Sequence, residues 1–169
     1  DSANAIFGRE GDDYIEGRGG ADVLDGGEGQ DTVLYTSSPL GVSIDLRQET
    51  QLFGDAASDR LRNIEHVTGS ASGDVIVGNN GVNHLDGGDG NDRIDGGFGD
   101  DILIGGDNID TVSFESQDPT GTFLSLDTIR IVLGEEGHDG TATRTSLNPS
   151  TFTTSVVETD TLIGFENVR

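Results

Sequence analysis

Cysteine, methionine, tryptophan and lysine are absent from this 169-residue chain, and proline occurs only three times. Without cysteine there is no disulfide scaffold, no Cys-ligated zinc site and no thiol catalysis. Aromatics are sparse, with two Tyr and seven Phe, which leaves little for a sugar-stacking platform. Positive charge is scarce as well: nine cations, all arginine, stand against 32 Asp and Glu, for a formal net charge of −23. That imbalance argues against a nucleic-acid partner. No run approaches the roughly 18 apolar residues of a membrane span. Leu, Ile, Val and Phe together number 44, little more than in disordered chains of high charge, so any hydrophobic core is thin. A fold on this composition has to overcome repulsion among its carboxylates, and a cation is the obvious remedy.

What the chain does have is glycine, 27 in all, 20 of them in two tracts at 8–34 and 69–113. Both tracts divide without gaps into units of nine. The first tract holds three units, starting at Gly8 (GREGDDYIE), Gly17 (GRGGADVLD) and Gly26 (GGEGQDTVL). The second holds five, starting at Gly69 (GSASGDVIV), Gly78 (GNNGVNHLD), Gly87 (GGDGNDRID), Gly96 (GGFGDDILI) and Gly105 (GGDNIDTVS). Place one is always Gly. Place four is Gly except at Ser72 and Asn108, and place six is Asp except at Asn83. Place eight is always aliphatic: Ile15, Leu24, Val33, Ile76, Leu85, Ile94, Leu103 and Val112.

Glycines at places one, two and four allow a tight turn through positive-φ conformations that other residues enter at a cost. The last three places then form a very short strand with its middle side chain inward. Strand plus turn is half a coil, so two units complete one coil and the turns of units n and n+2 stack on the same side. The spacing therefore predicts an all-β parallel β-roll or β-solenoid. Stacking brings backbone carbonyls and two place-six carboxylates around one gap, an oxygen-rich pocket suited to Ca²⁺ rather than softer metals.

These units resemble the nonapeptide GGxGxDxUx of the RTX, or haemolysin-type, calcium-binding proteins. The resemblance implies calcium ions in the glycine-rich turns, held by the place-six side chains Asp13, Asp22, Asp31, Asp74, Asn83, Asp92, Asp101 and Asp110. It also implies carbonyl ligands from places two and four of one turn, Gly11, Gly29, Gly90 and Gly99 among them, and from places one and three of the next. The stacking rule pairs Asp13 with Asp31, Asp74 with Asp92, Asn83 with Asp101, and Asp92 with Asp110, which gives about four ions. Asp22 is left with no complete partner inside its tract. Asn83 weakens its gap, and Ser72 and Asn108 at place four are expected to distort theirs.

The spacers repeat too. Asp31-Thr32-Val33 and Asp110-Thr111-Val112 close the tracts, and each is followed by an aromatic, Tyr35 or Phe114. Alternating strands are expected at Val42, Ile44, Leu46 and at Ile129, Ile131, Leu133. DRLRNIEHVT ending at Thr68 matches DTLIGFENVR ending at Arg169, so that Leu61, Ile64, Glu65 and Val67 correspond to Leu162, Phe165, Glu166 and Val168. The polar stretch from Gly134 to Leu147 reads as a loop or hairpin. The organisation expected is one tract and spacer over 1–68, a second over 69–169, with strand-rich spacers, cut from a longer multi-tract protein.

No catalytic constellation is legible. His66, His84 and His138 lie outside any HExxH pattern, and neither a GxSxG elbow nor a P-loop occurs. His84 reads as a solvent-facing variable position. Asp118-Pro119 is the kind of bond that some RTX-family self-processing modules cleave, and on the residues alone it reads as a turn. The chain is therefore read as a non-enzyme. The resemblance implies a calcium-binding module of a secreted, extracellular bacterial protein, exported by type I secretion and folding on Ca²⁺ outside the cell as a structural, secretion-assisting scaffold. The alternatives are an adhesion or carbohydrate-binding module with a polysaccharide or cell-surface ligand, or the non-catalytic part of a secreted enzyme or toxin.

Overall fold

The computed structural model of the chain describes residues 2–113, 128–133, 139–148, 153–163 and 167–168. Phe114, Gly134 to His138 and the Asp118-Pro119 bond lie outside the described residues.

The short strands fall where the nonapeptide puts them. Tract 1 contributes β1 (Ala5–Glu10), β2 (Tyr14–Ile15), β3 (Val23–Glu28) and β4 (Thr32–Leu34). The first spacer adds β5 (Ser43–Asp45), β6 (Arg60–Arg62) and β7 (His66–Thr68), with one 3₁₀ turn at Gly54–Ala56. Tract 2 gives β8 (Val75–Val77), β9 (His84–Asp86), β10 (Arg93–Asp95), β11 (Ile102–Ile104) and β12 (Thr111–Val112). Last come β13 (Thr128–Leu133), β14 (Asp139–Asn148), β15 (Thr153–Ile163) and β16 (Asn167–Val168).

Pairing within the tracts is parallel and offset by two units, as in Tyr14 with Thr32, Val75 with Arg93, and His84 with Ile102. Alternate strands go to opposite faces. One face is the sheet β2-β4-β7-β9-β11-β15, and the other is made of β1-β3-β6 and β5-β8-β10-β12-β16. Pairs β7 with β9 and β5 with β8 carry the ladders across the boundary at residue 68.

The two matching spacer ends occupy equivalent rungs. Leu61 aligns with Leu24 and Val67 with Val33 at the end of tract 1; Leu162 aligns with Leu103 and Val168 with Val112 at the end of tract 2. Between β5 and β6 the chain turns back, and antiparallel bridges Ser43 with Leu52 and Thr50 with Arg60 join the edges of the two smaller sheets. Gln51, 1% exposed, holds this return: its amide nitrogen donates to the Gln48 carbonyl at 2.9 Å and its Oε1 accepts from the Asp45 N–H at 2.7 Å. The expected alternating strands are present as β5 and β13. The polar stretch after residue 134 provides β14, which pairs antiparallel with both β13 and β15.

All eight place-eight side chains are at most 3% exposed. With Tyr35, Val42, Ile44, Ala56, Leu61, Ile64 and Val67 they form one buried cluster. Each such aliphatic contributes about 1.5–3 kcal/mol, and each nonapeptide supplies only one.

Candidate calcium-binding turns

The same turns that place the aliphatics inward also bury their carboxylates. Asp22, Asp31 and Asp110 are fully buried, and Asp74, Asn83, Asp92 and Asp101 are within 2% of it. Moving an uncompensated carboxylate out of water costs several kcal/mol, more than one buried aliphatic returns. The turns therefore need compensation from within or from a cation.

Part of it comes from the backbone, in a regular relay. The N–H of each place-six residue donates to the place-six side chain one coil further along: Asp13 to Asp31 Oδ1 at 2.8 Å, Asp74 to Asp92 Oδ1 at 2.7 Å, Asn83 to Asp101 Oδ1 at 2.8 Å, and Asp92 to Asp110 Oδ1 at 2.9 Å. The four pairs expected from the spacing are thus neighbours in stacked turns. Asp22 also has neighbours, which the repeat count did not reveal. It accepts from the Asn4 N–H at 2.7 Å and donates its own N–H to Asp59 Oδ1 at 2.8 Å. Asp31 likewise donates to Glu65 Oε2 at 3.0 Å.

Asn4, Asp59 and Glu65 therefore continue the place-six columns. Two of them carry a legible signal. Asn4 sits 18 residues before Asp22 with Ile6 at place eight, and Gly54, Asp59 and Leu61 sit at places one, six and eight of a worn unit. Glu65 has no such frame and is brought in by the strand β7.

The second carboxylate oxygen is the informative one. Oδ2 of Asp13, Asp22, Asp31 and Asp92 is buried with no hydrogen-bond partner. Each lies against its own place-one glycine, at the spot a side chain would occupy. A Cβ on Gly8 would meet Asp13 Oδ2 and, at 2.5 Å, the Gly26 carbonyl; one on Gly87 would meet Asp92 Oδ2 and, at 2.7 Å, the Gly105 carbonyl. The place-one carbonyl of the next stacked turn thus converges with the unpartnered carboxylate oxygen. Place four stacks in the same way: a Cβ on Gly29 would meet the Gly11 carbonyl, and one on Gly99 the Gly81 carbonyl at 2.5 Å. Gly90 approaches the Ser72 backbone at 2.7 Å.

An unpartnered anionic oxygen beside a backbone carbonyl, as at Asp13, Asp31 and Asp92, is the all-oxygen environment that suits a hard divalent cation;. The residues present fit calcium on that ground. The burial also shifts the carboxyls of the cation-free turns. Burial pushes Asp92 up to about 7, against the pull of the Asp74 N–H, and raises Asp74 too. Burial pushes Asp59 up to about 6 despite the donors from Asp22 and Tyr35.

The exceptions at place four behave differently from one another. Asn108 adopts φ +86° and keeps the turn's shape, as asparagine does at modest cost, so the distortion expected there is not found. Ser72 instead takes part in a rearranged turn, donating its N–H to Ser70 Oγ at 3.1 Å. His84, expected to face solvent, is half-buried and stacks edge-on against His66 with centroids 5.6 Å apart. Its N–H donates to His66 Nδ1 at 3.1 Å.

Comparison with known proteins points the same way as the turns. Residues 1–33, 68–103 and 77–112 match the family model of the RTX calcium-binding nonapeptide repeat, four copies. No curated protein matches the chain. The matched residues are the ones that form the stacked turns and their three-residue strands, and over these two tracts the chain is similar to the RTX calcium-binding nonapeptide repeat.

Proposed function

We propose that this chain is a calcium-folded structural module of a secreted bacterial protein, passing through type I export extended and folding outside the cell. The observation that carries the reading is the set of buried, unpartnered carboxylate oxygens of Asp13, Asp22, Asp31 and Asp92, each against its own place-one glycine. Asp101 and Asp110 hold the same place in their turns, and Asp74 and Asn83 complete the set of place-six residues. In this reading the carbonyls of Gly11, Gly29, Gly90 and Gly99 would complete the ligand sets. The spacing of the pairs supports about four ions.

Bound calcium supplies positive charge to the turns. Without it, a net charge of −23 and one aliphatic per nine residues favour the expanded chain;. The protein's own part is to stack turns at an 18-residue offset, hold Oδ1 of Asp22, Asp31 and Asp92 on a backbone N–H, and leave their Oδ2 free to meet a cation. Extracellular calcium modules work at about 10⁻⁴ to 10⁻³ M, above cytosolic calcium, so folding is delayed until export. The module is non-catalytic in this reading.

Far-UV circular dichroism during a Ca²⁺ titration, from chelator to about 10 mM with Mg²⁺ as control, tests it over that affinity range. A disordered-to-β transition specific to Ca²⁺ is the expected result. A β spectrum indifferent to calcium and chelator overturns the coupled-folding reading.

A further inference from the structure

Two place-six turns are closed by the protein itself. The Ser70 N–H donates to Asp74 Oδ2 at 2.6 Å, while Asp74 Oδ1 accepts from Ser70 Oγ at 2.9 Å and from the Val42 N–H at 2.6 Å. In the neighbouring turn the Asn79 N–H donates to Asn83 Oδ1 at 2.8 Å, and Asn83 Nδ2 reaches the Glu65 carbonyl at 3.0 Å.

Ser70 and Asn79 both stand at place two, and the backbone there has two settings. Gly27, Gly88, Gly97 and Gly106 at the same place have φ between +89° and +110°, and even Arg9 and Arg18 lie at +89° and +62°, whereas Ser70 and Asn79 are outside the positive-φ region. With positive φ the place-two N–H of Gly88 and Gly97 turns back to Asp86 Oδ1 and Asp95 Oδ1, at 3.1 and 3.2 Å. In the Ser70 and Asn79 turns it points inward, at the place-six oxygen. An inward N–H presents the positive end of its dipole to the spot a cation would take, and it already satisfies the oxygen that would bind one. Asn83 adds no charge of its own.

The two closed turns open tract 2. At the far end of tract 1, Tyr35 donates its hydroxyl to Asp59 Oδ2 at 3.0 Å, so the last carboxylate on that side is also closed by a protein donor. Self-satisfied carboxyl and amide groups thus cluster at the junction of the tracts, and unpartnered ones lie in the turns to either side of it.

We propose that the gaps between Asp74 and Asp92 and between Asn83 and Asp101 take no calcium, so that the ions form two clusters, in the turns of 8–31 and of 87–110, either side of a hydrogen-bonded junction. This rests on the calcium reading above and changes both where the ions sit and how many the four spaced pairs supply. Ser70 and Asn79 are the residues that set the difference, through the direction of one N–H each.

Calcium per chain, measured by atomic absorption after equilibrium dialysis at saturating calcium, tests the assignment. Asp74→Asn keeps the wild-type count, Asp92→Asn loses at least one ion, and Ser70→Gly, which frees Asp74 Oδ2 and restores glycine at place two, gains one. Loss of an ion in Asp74→Asn, or an unchanged count in Ser70→Gly, overturns the proposal. Should Asp74→Asn not fold in calcium by circular dichroism, the Ser70→Gly count decides alone. A wild-type chain that binds no calcium would instead overturn the calcium reading itself, so the two failures are distinct.

Discussion

The Tyr35 hydroxyl donates to Asp59 Oδ2 at 3.0 Å, with Tyr35 1% exposed and Asp59 fully buried. Asp59 Oδ1 accepts from the Asp22 N–H, so both oxygens of this carboxylate are satisfied inside the protein. A phenol here does for Asp59 what a cation is proposed to do for Asp22 one coil away. The Tyr35 proton is correspondingly hard to remove, chiefly through burial and then through the neighbouring Asp59 charge.

Tyr35→Phe keeps the ring's packing and removes only this donor. Leaving a buried carboxylate oxygen unpaired costs about 1–3 kcal/mol. Urea unfolding in saturating calcium is expected to show a loss in that range, with the calcium count unchanged. A loss near zero would mean that water or a cation replaces the hydroxyl.

Gly87→Ala inserts a methyl where Asp92 Oδ2 and the Gly105 carbonyl converge. It should lower both the thermal midpoint and the calcium affinity. Gly81→Ala is the control: its φ is not in the positive region and its added carbon meets only the end of the Asn79 side chain, at 3.2 Å. The control is expected within about 1 kcal/mol of wild type. Equal effects of the two substitutions would refute the crowding at place one.

Ile94, fully buried at place eight, and Val75, 38% exposed at place seven, separate the inward from the outward side chain of a three-residue strand. Ile94→Ala is expected to cost about 2–5 kcal/mol through lost burial and the cavity left behind. Val75→Ala should change stability by about 0.5 kcal/mol or less. Chemical denaturation in calcium measures both.

Acidity should act in opposite directions on the bare fold and on calcium binding. Folded, cation-free Asp59 and Asp92 are held at about 6 and about 7, above the ordinary carboxylate value, with burial the main cause. Between about pH 4 and 7 the folded chain therefore binds more protons than the unfolded one, and its stability falls as pH rises through that window. Calcium-stripped protein, prepared on a chelating resin, is expected to show more β structure by circular dichroism at pH 4.5 than at pH 8. Calcium affinity should move the other way, because a cation has to displace those protons. A calcium-free fold that gains structure as pH rises would contradict the assigned shifts.

Much of the fold was legible because it repeats. Place eight told which side chain points inward, and all eight are buried; the period of nine told which turns stack, and the strands pair at that offset. The matched ends DRLRNIEHVT and DTLIGFENVR told of a shared rung, and Leu61 and Leu162 occupy it. Three features of the turns were harder to read. Asp59 sits in a worn glycine frame, but its partner Asp22 is 37 residues away, and the period of nine does not pair them. Glu65 joins its column without a glycine frame. The inward N–H groups of Ser70 and Asn79 are a matter of peptide orientation, which a residue type biases without fixing.

By itself the sequence determined what each nonapeptide does locally. Glycine lets the turn close, place six puts a carboxylate at its end, and place eight buries one aliphatic, because these depend on backbone conformation and on a periodicity of a few residues. Only the tertiary structure decided how each carboxylate is compensated. Whether an oxygen meets Tyr35, an inward N–H or no donor at all depends on chain segments brought alongside by the stacking of coils, and burial among them, rather than residue identity, sets the cost of its charge.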